Sequence, residues 1–157
     1  MSGLWLRITA LCGLAVLGYN LLADKFAGGN AGATLTMIAA GPLGDAARDW
    51  APGGVVLGLL VHFALTAAMI GGGLVLARLT ILGEIAPWKA GTFYGLALYM
   101  AMYGLVLPWR FGVPFPNPDR LSLFIGLVPH VLLVGLPVFY MAKRKVLQAN
   151  SADLRSS

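Results

Sequence analysis

The chain contains two histidines, His62 and His130, and both lie within long apolar stretches. Their surroundings echo each other: Gly58-Leu-Leu-Val-His62-Phe and Gly126-Leu-Val-Pro-His130-Val. In a helix, a residue four positions earlier shares the histidine's face. Gly58 and Gly126 therefore remove bulk beside each ring and leave space for another helix or a flat ligand. Three uses of such a pair compete. A neutral imidazole can bridge helices by hydrogen bonding, which stabilises a membrane protein by about 1 kcal/mol. Two imidazoles at one depth could hold a b-type haem edge-on or form part of a metal site. Ionisable groups within a membrane are also candidates for proton or ion handling. Pro129 has no N–H to give the Ile125 carbonyl, which offers an acceptor close to His130. For a haem, Arg110 and Arg120 are the best available partners for the propionates.

Other residues of chemical interest read as packing. Cys12 is the single cysteine and cannot form an internal disulfide or a cysteine metal cluster. It is expected to pack as a small apolar side chain. Tyr94, Tyr99, Met100, Met102 and Tyr103 form a stripe in which Tyr99 and Tyr103 share a face. Such a stripe could line a cavity or bind copper, but packing is the simpler use. Gly71-Gly-Gly73 marks either a flexible point or a close helix contact. Asp45, Arg48 and Asp49 read as a solvated face rather than as catalytic carboxylates. The apolar runs contain no Asp or Glu, which argues against a carboxylate-driven proton pump. No phosphate loop, nucleophile elbow or zinc-ligand spacing is present, so the chain reads as non-enzymatic.

The elements that position these residues follow from composition. Hydrophobic residues make up 59% of the 157 and charged residues only 11%, against about 25% charged in soluble domains. The net charge of +5 is not gathered into a stripe, which excludes a nucleic-acid surface. Apolar runs at 4–23, 53–79, 90–108 and 121–142 are each about 20 residues or longer, enough to cross a bilayer. The expected fold is all-α and integral to a membrane. It is a bundle of four transmembrane helices forming a single domain over 1–145, with a polar tail at 146–157. The first run is read as an uncleaved helix rather than a signal peptide. Helices two and four run in the same direction and place both histidines about 13 Å below the outer surface. The echo suggests a tandem repeat of two helix hairpins, an arrangement that places sites at the repeat interface. Gly54-Val-Val-Leu-Gly58 and Gly91-Thr-Phe-Tyr-Gly95 have the spacing that lets helix backbones approach closely. Pro129 and Pro137 should kink helix four.

The basic residues give the orientation. Arg7, Arg78, Lys89, Lys143, Arg144, Lys145 and Arg155 fall on one side; Lys25, Arg48, Arg110 and Arg120 fall on the other. The positive-inside rule places both termini in the cytoplasm. Trp5, Trp88, Trp50 and Trp109 sit at span ends, the depth that tryptophan prefers. In the long outer segment 24–52, Asn30 is placed to cap a short helix running through Ala40 and ended by Gly41-Pro42. That helix lies on the outer surface or folds back over the bundle, with Leu35 and Ile38 on its apolar stripe. The outer link 109–120 has prolines at 114, 116 and 118, which favour a stiff extended path.

Several short motifs carry a resemblance. They are Gly-Gly-Asn at 28–30, Ala-Thr-Leu-Thr-Met-Ile-Ala-Ala-Gly at 33–41 and Leu-Gly-Asp at 43–45. His62-Phe63, Tyr94-Gly95, Val-Leu-Pro at 106–108, and His130 followed by Val-Gly-Leu-Pro at 134–137 complete the set. In this order, over roughly residues 10–142, the chain resembles the YagU-like family of small bacterial inner-membrane proteins. The resemblance implies an inner-membrane protein of unassigned biochemical activity and supplies no catalytic residues. The expected surroundings are therefore a lipid bilayer and a protein partner or further copies of the chain. Haem b or a metal ion bound through His62 and His130, as in an electron-transfer subunit, is one alternative; a proton-responsive or transporter-like homo-oligomer is another.

Overall fold

The computed structural model describes residues 2–50, 52–116 and 119–144. Every element among them is helical. Four helices are long and apolar enough to cross a membrane: Trp5–Phe26, Gly53–Leu79, Pro87–Phe111 and Leu121–Arg144. A backbone in hydrocarbon must satisfy its own hydrogen bonds, so apolar runs of this length become helices despite their glycines. Three of the spans extend past the apolar runs. Lys25, Trp88, Lys89, Trp109, Arg110, Lys143 and Arg144 continue the helices, because long amphipathic side chains reach the interface while their backbones stay helical. Expectations for Lys145, Arg155 and the tail at 146–157 fall outside the described residues.

The contacts fall into two compact units, Met1–Ala68 and Met69–Ser157. The first contains α1 (Ser2–Phe26), α2 (Ala31–Leu43), the single turn α3 (Ala46–Asp49) and the start of α4 (Gly53–Leu79). Asn30 caps α2 as its position predicts, its side-chain oxygen accepting from the Gly32 and Ala33 amides at 2.9 and 3.2 Å. However, α2 does not end at Gly41-Pro42. It continues to Leu43, and Gly44, at φ +87°, closes it with an N–H donated to the Ala40 carbonyl. Pro42 costs only one intrahelical donor, and so near the end a helix tolerates that loss; the left-handed φ stops it. α2 folds back onto α4, where the Gly58 backbone lies against the Leu35 carbonyl and that of Gly54 against the Ala47 carbonyl. The spacing of Gly54 and Gly58 does permit close approach, here to α2 and α3. Cys12 is buried at 6% exposure and unpaired, as a packing residue should be.

The second unit contains α5 (Pro87–Tyr99), α6 (Leu107–Phe111) and α7 (Arg120–Val128). Two π-helical segments, Met100–Val106 and Pro129–Gly135, interrupt the third and fourth spans. Within each, backbone N–H groups bond five residues back: Leu107 to Met102, and Leu136 to Val131. The chain meets the missing N–H of Pro129 by widening the helix from that residue onward. α5 rests on the second π segment through three glycines. A Cβ on Gly95 would stand 2.5 Å from the Val131 Cα and 2.7 Å from the His130 carbonyl oxygen, and Gly91 and Gly135 face each other backbone to backbone. Gly73 is a close helix contact, since a Cβ there would meet Val138 at 2.7 Å and the Tyr94 ring at 2.9 Å. The Tyr94 hydroxyl donates to the Met69 carbonyl at 2.6 Å, which satisfies a phenol otherwise held among apolar side chains.

α7 begins at a cap the sequence reading did not single out. The Asp119 carboxylate accepts from the Leu121 and Ser122 amides at 3.1 Å each and from the Ser122 hydroxyl at 2.6 Å. The Ser122 hydroxyl, then the Ser122 and Leu121 amides, hold the Asp119 carboxyl below the ordinary aspartate value. A depressed folded-state value makes the cap fully effective above the unfolded value and loses it as pH falls through the folded one. Protection of the Leu121 and Ser122 amides, taken relative to the intrinsic exchange rate at each pH, should therefore be high at neutral pH and be lost only on strong acidification. Asp119→Ala should lack that protection at every pH.

Candidate functional site

The two histidines sit in different units, and each has its own partners. His62 is on α4, 7% exposed, with Nε2 2.9 Å from the Gly13 carbonyl of α1. A carbonyl can only accept, so Nε2 carries the proton, and in the neutral ring Nδ1 then bears the lone pair. Gly13 makes this approach possible: its missing side chain is replaced by the Phe63 ring, which a Cβ would meet at 2.6 Å. Phe63 in turn stands edge-on to the imidazole, with ring centroids 5.4 Å apart. One turn along, the Thr66 hydroxyl donates to the His62 carbonyl at 2.9 Å. The Trp5 indole donates to the Ala67 carbonyl at 3.3 Å. α1 and the start of α4 are thus tied antiparallel by side-chain donors on backbone acceptors. The Thr9 hydroxyl, one turn before Gly13, is buried without a partner among the described residues.

His130 lies in the second π segment. Its Nδ1 is 2.7 Å from the carbonyl of Gly126, four residues earlier in its own span. The same reasoning puts the proton on Nδ1, so the two imidazoles are opposite tautomers and His130 presents the Nε2 lone pair. The acceptor is Gly126 rather than the Ile125 carbonyl that Pro129 leaves without a donor, because a helical side chain leans back over the face of residue i−4. Tyr99 and Tyr103 stack at 4.7 Å and 21°, and both stand edge-on to His130, at 6.1 and 5.8 Å. Phe115, from the outer link, tilts toward Tyr99 at 6.5 Å. Tyr99 is 7% exposed, and its hydroxyl is buried with no partner among the described residues. Leaving such a group unpaired costs about 1–3 kcal/mol, so it calls for an explanation.

The spaces anticipated beside the rings are filled from within the chain. Backbone of α2 lies against Gly58, and the Tyr103 ring lies against Gly126, where a Cβ would meet it at 2.5 Å. With its Nε2 proton given to Gly13, His62 does not fit the role of an Nε2 ligand to iron or another metal. His130 has the arrangement usual in a ligating histidine, with one nitrogen fixed by a carbonyl and the other bearing a lone pair. Arg110 lies over the Phe111 ring at 5.0 Å, and the Arg120 side chain is outside the described residues. Among those residues, no group of three or more His, Cys, Asp and Glu is placed to hold a metal ion. The Asp45–Arg48 pair, 3.8 Å apart and well exposed, is the solvated face its composition suggests.

No family model, curated protein or solved structure matches the chain. The account of the site therefore rests on its residues. The sequence reading picked out both histidines and the Tyr99–Tyr103 face. It did not pick out Gly13, Thr9 and Thr66, although Thr66 follows His62 by one turn and Thr9 precedes Gly13 by one. A polar residue one turn away within an otherwise apolar run is the signal that could have found them.

Proposed function

We propose that the chain is a structural or accessory multi-pass protein of a bacterial inner membrane, with both termini in the cytoplasm, with His62 tying its first two spans and His130 fixed within the aromatic cluster of its last two. The observation that carries this reading is the 2.9 Å bond from His62 to the Gly13 carbonyl. It commits the most buried imidazole to joining α1 and α4. His130 is likewise fastened to backbone, at Gly126. The orientation draws support from the uneven distribution of basic residues, and the bacterial setting from the resemblance to the YagU-like proteins. A protein partner or further copies of the chain would complete an accessory role. Large side chains such as Leu11, Leu60, Phe93 and Phe124 are exposed along the spans and supply apolar surface for lipid and for such contacts.

The test is an absorption spectrum, oxidised and reduced, of protein purified in mild detergent from haem-replete cells, with metal analysis of the same sample. The expected result is a colourless protein without stoichiometric metal. A stoichiometric Soret band lost in both His62→Ala and His130→Ala would replace the structural reading with a b-type electron-transfer subunit.

A further inference from the structure

The group in the second unit that packing leaves unexplained is the Tyr99 hydroxyl, buried without a partner where the third span passes into its π segment. In the same aromatic cluster is His130, whose Nδ1 is fixed on the Gly126 carbonyl, leaving Nε2 as the ring's remaining polar atom. The rings of Tyr99, Tyr103, Phe115 and His130 thus gather around a phenol O–H donor and an imidazole, with the centroids of neighbouring rings 4.7–6.5 Å apart. Both polar residues adjoin or lie in π segments, a distortion that is rare and frequently found at functional sites.

We propose that this cluster binds the head group of a neutral, bilayer-soluble quinone or quinol. A ring oxygen accepts from the Tyr99 hydroxyl, and in the quinol a ring hydroxyl donates to Nε2 of His130. Three features select this chemistry. First, the apolar stretches that carry the cluster contain no Asp, Glu, Lys or Arg, so a ligand of either charge would lie unpaired in hydrocarbon. Second, the surroundings are aromatic, and a flat ring packs on Tyr and Phe by offset stacking or edge contact. Third, Phe115, the ring that covers Tyr99 from the outer link, is itself 37% exposed, so one side chain separates the cluster from the surroundings of the chain. Phe115 is the side chain a ligand would displace. Its ring meets Tyr99 only in a tilted contact, with centroids 6.5 Å apart. An incoming ring in its place covers Tyr99 as Phe115 does and adds the oxygen that Phe115 lacks. The proposal is for binding alone and does not depend on the structural role of His62.

The experiment is a titration of the full chain in lipid nanodiscs with a decyl-substituted benzoquinone and its quinol, following ligand retained above that in empty nanodiscs. The expected result is saturable one-to-one binding, weakened tenfold or more by Tyr99→Phe. That variant keeps the ring and removes only the orphan hydroxyl. His130→Gln should weaken the quinol more than the quinone, and Phe115→Ala should bind at least as well as the parent chain. Far-UV circular dichroism and elution volume establish that each variant is folded. Partition no greater than into empty nanodiscs, for both the parent and Phe115→Ala, would overturn the proposal. So would equal binding by folded Tyr99→Phe.

Discussion

Gly135→Ala should destabilise the second unit by about 2–3 kcal/mol, the upper part of the range for overpacking, even though it adds one methyl group. A Cβ at Gly135 points at the Gly91 carbonyl and stands 3.0 Å from the Gly95 amide nitrogen and 3.1 Å from its Cα. All three obstacles are backbone, so no side chain can swing aside. Relief requires α5 to move away from the second π segment, which also disturbs Tyr94, Tyr99 and His130. Gly18→Ala is the matched control. Nothing lies within 4 Å of a Cβ there, and replacing a helical glycine by alanine stabilises by up to about 1 kcal/mol. Thermal unfolding in one detergent should therefore move in opposite directions for the two variants. Equal behaviour would mean that the glycines of α5 and the fourth span are not in backbone contact.

His62→Ala is expected to be the most damaging change in the first unit, at about 2–4 kcal/mol. It removes a buried ring, which leaves a cavity, and the hydrogen bond between α1 and α4. It also removes the edge against which Phe63 packs. His62→Gln should recover part of the loss, because an amide N–H can replace Nε2 as donor to the Gly13 carbonyl. His130→Ala should cost less, since its bond to Gly126 stays within one span and joins no second helix. Denaturation midpoints for the three variants check the order. A His62→Ala protein as stable as the parent would remove the tie between α1 and α4 from the account.

The four spans were legible because hydrocarbon leaves an apolar run of that length few alternatives to a helix. Asn30 was legible for a similar reason: a capping side chain acts on amides two and three residues away, so its effect is written locally. The end of α2 was not, because Gly41-Pro42 and Gly44 each carry a stop signal and only the backbone conformation at Gly44 decides between them. The site was half legible. Residue type marked His62 and His130, and spacing put Tyr99 and Tyr103 on one face. The partners of both imidazoles, however, are carbonyls of glycines, and a backbone acceptor leaves no trace in residue type. The matching Gly-x-x-x-His patterns suggested like environments, yet His62 reaches across to another helix and His130 back along its own. The π segments were also out of reach. Pro129 announces a lost hydrogen bond, but that the helix widens over Pro129–Gly135 depends on what packs against it, here the glycine face of α5.

The central claim is that each histidine is fixed to a backbone carbonyl, through opposite ring nitrogens. Nitrogen-15 spectra of the protein in lipid, with labelled histidine and single His→Gln variants for assignment, test it directly. The account predicts a hydrogen-bonded proton at Nε2 of His62 and at Nδ1 of His130. One tautomer shared by both rings, or a His62 Nε2 signal displaced by a bound metal, would contradict it.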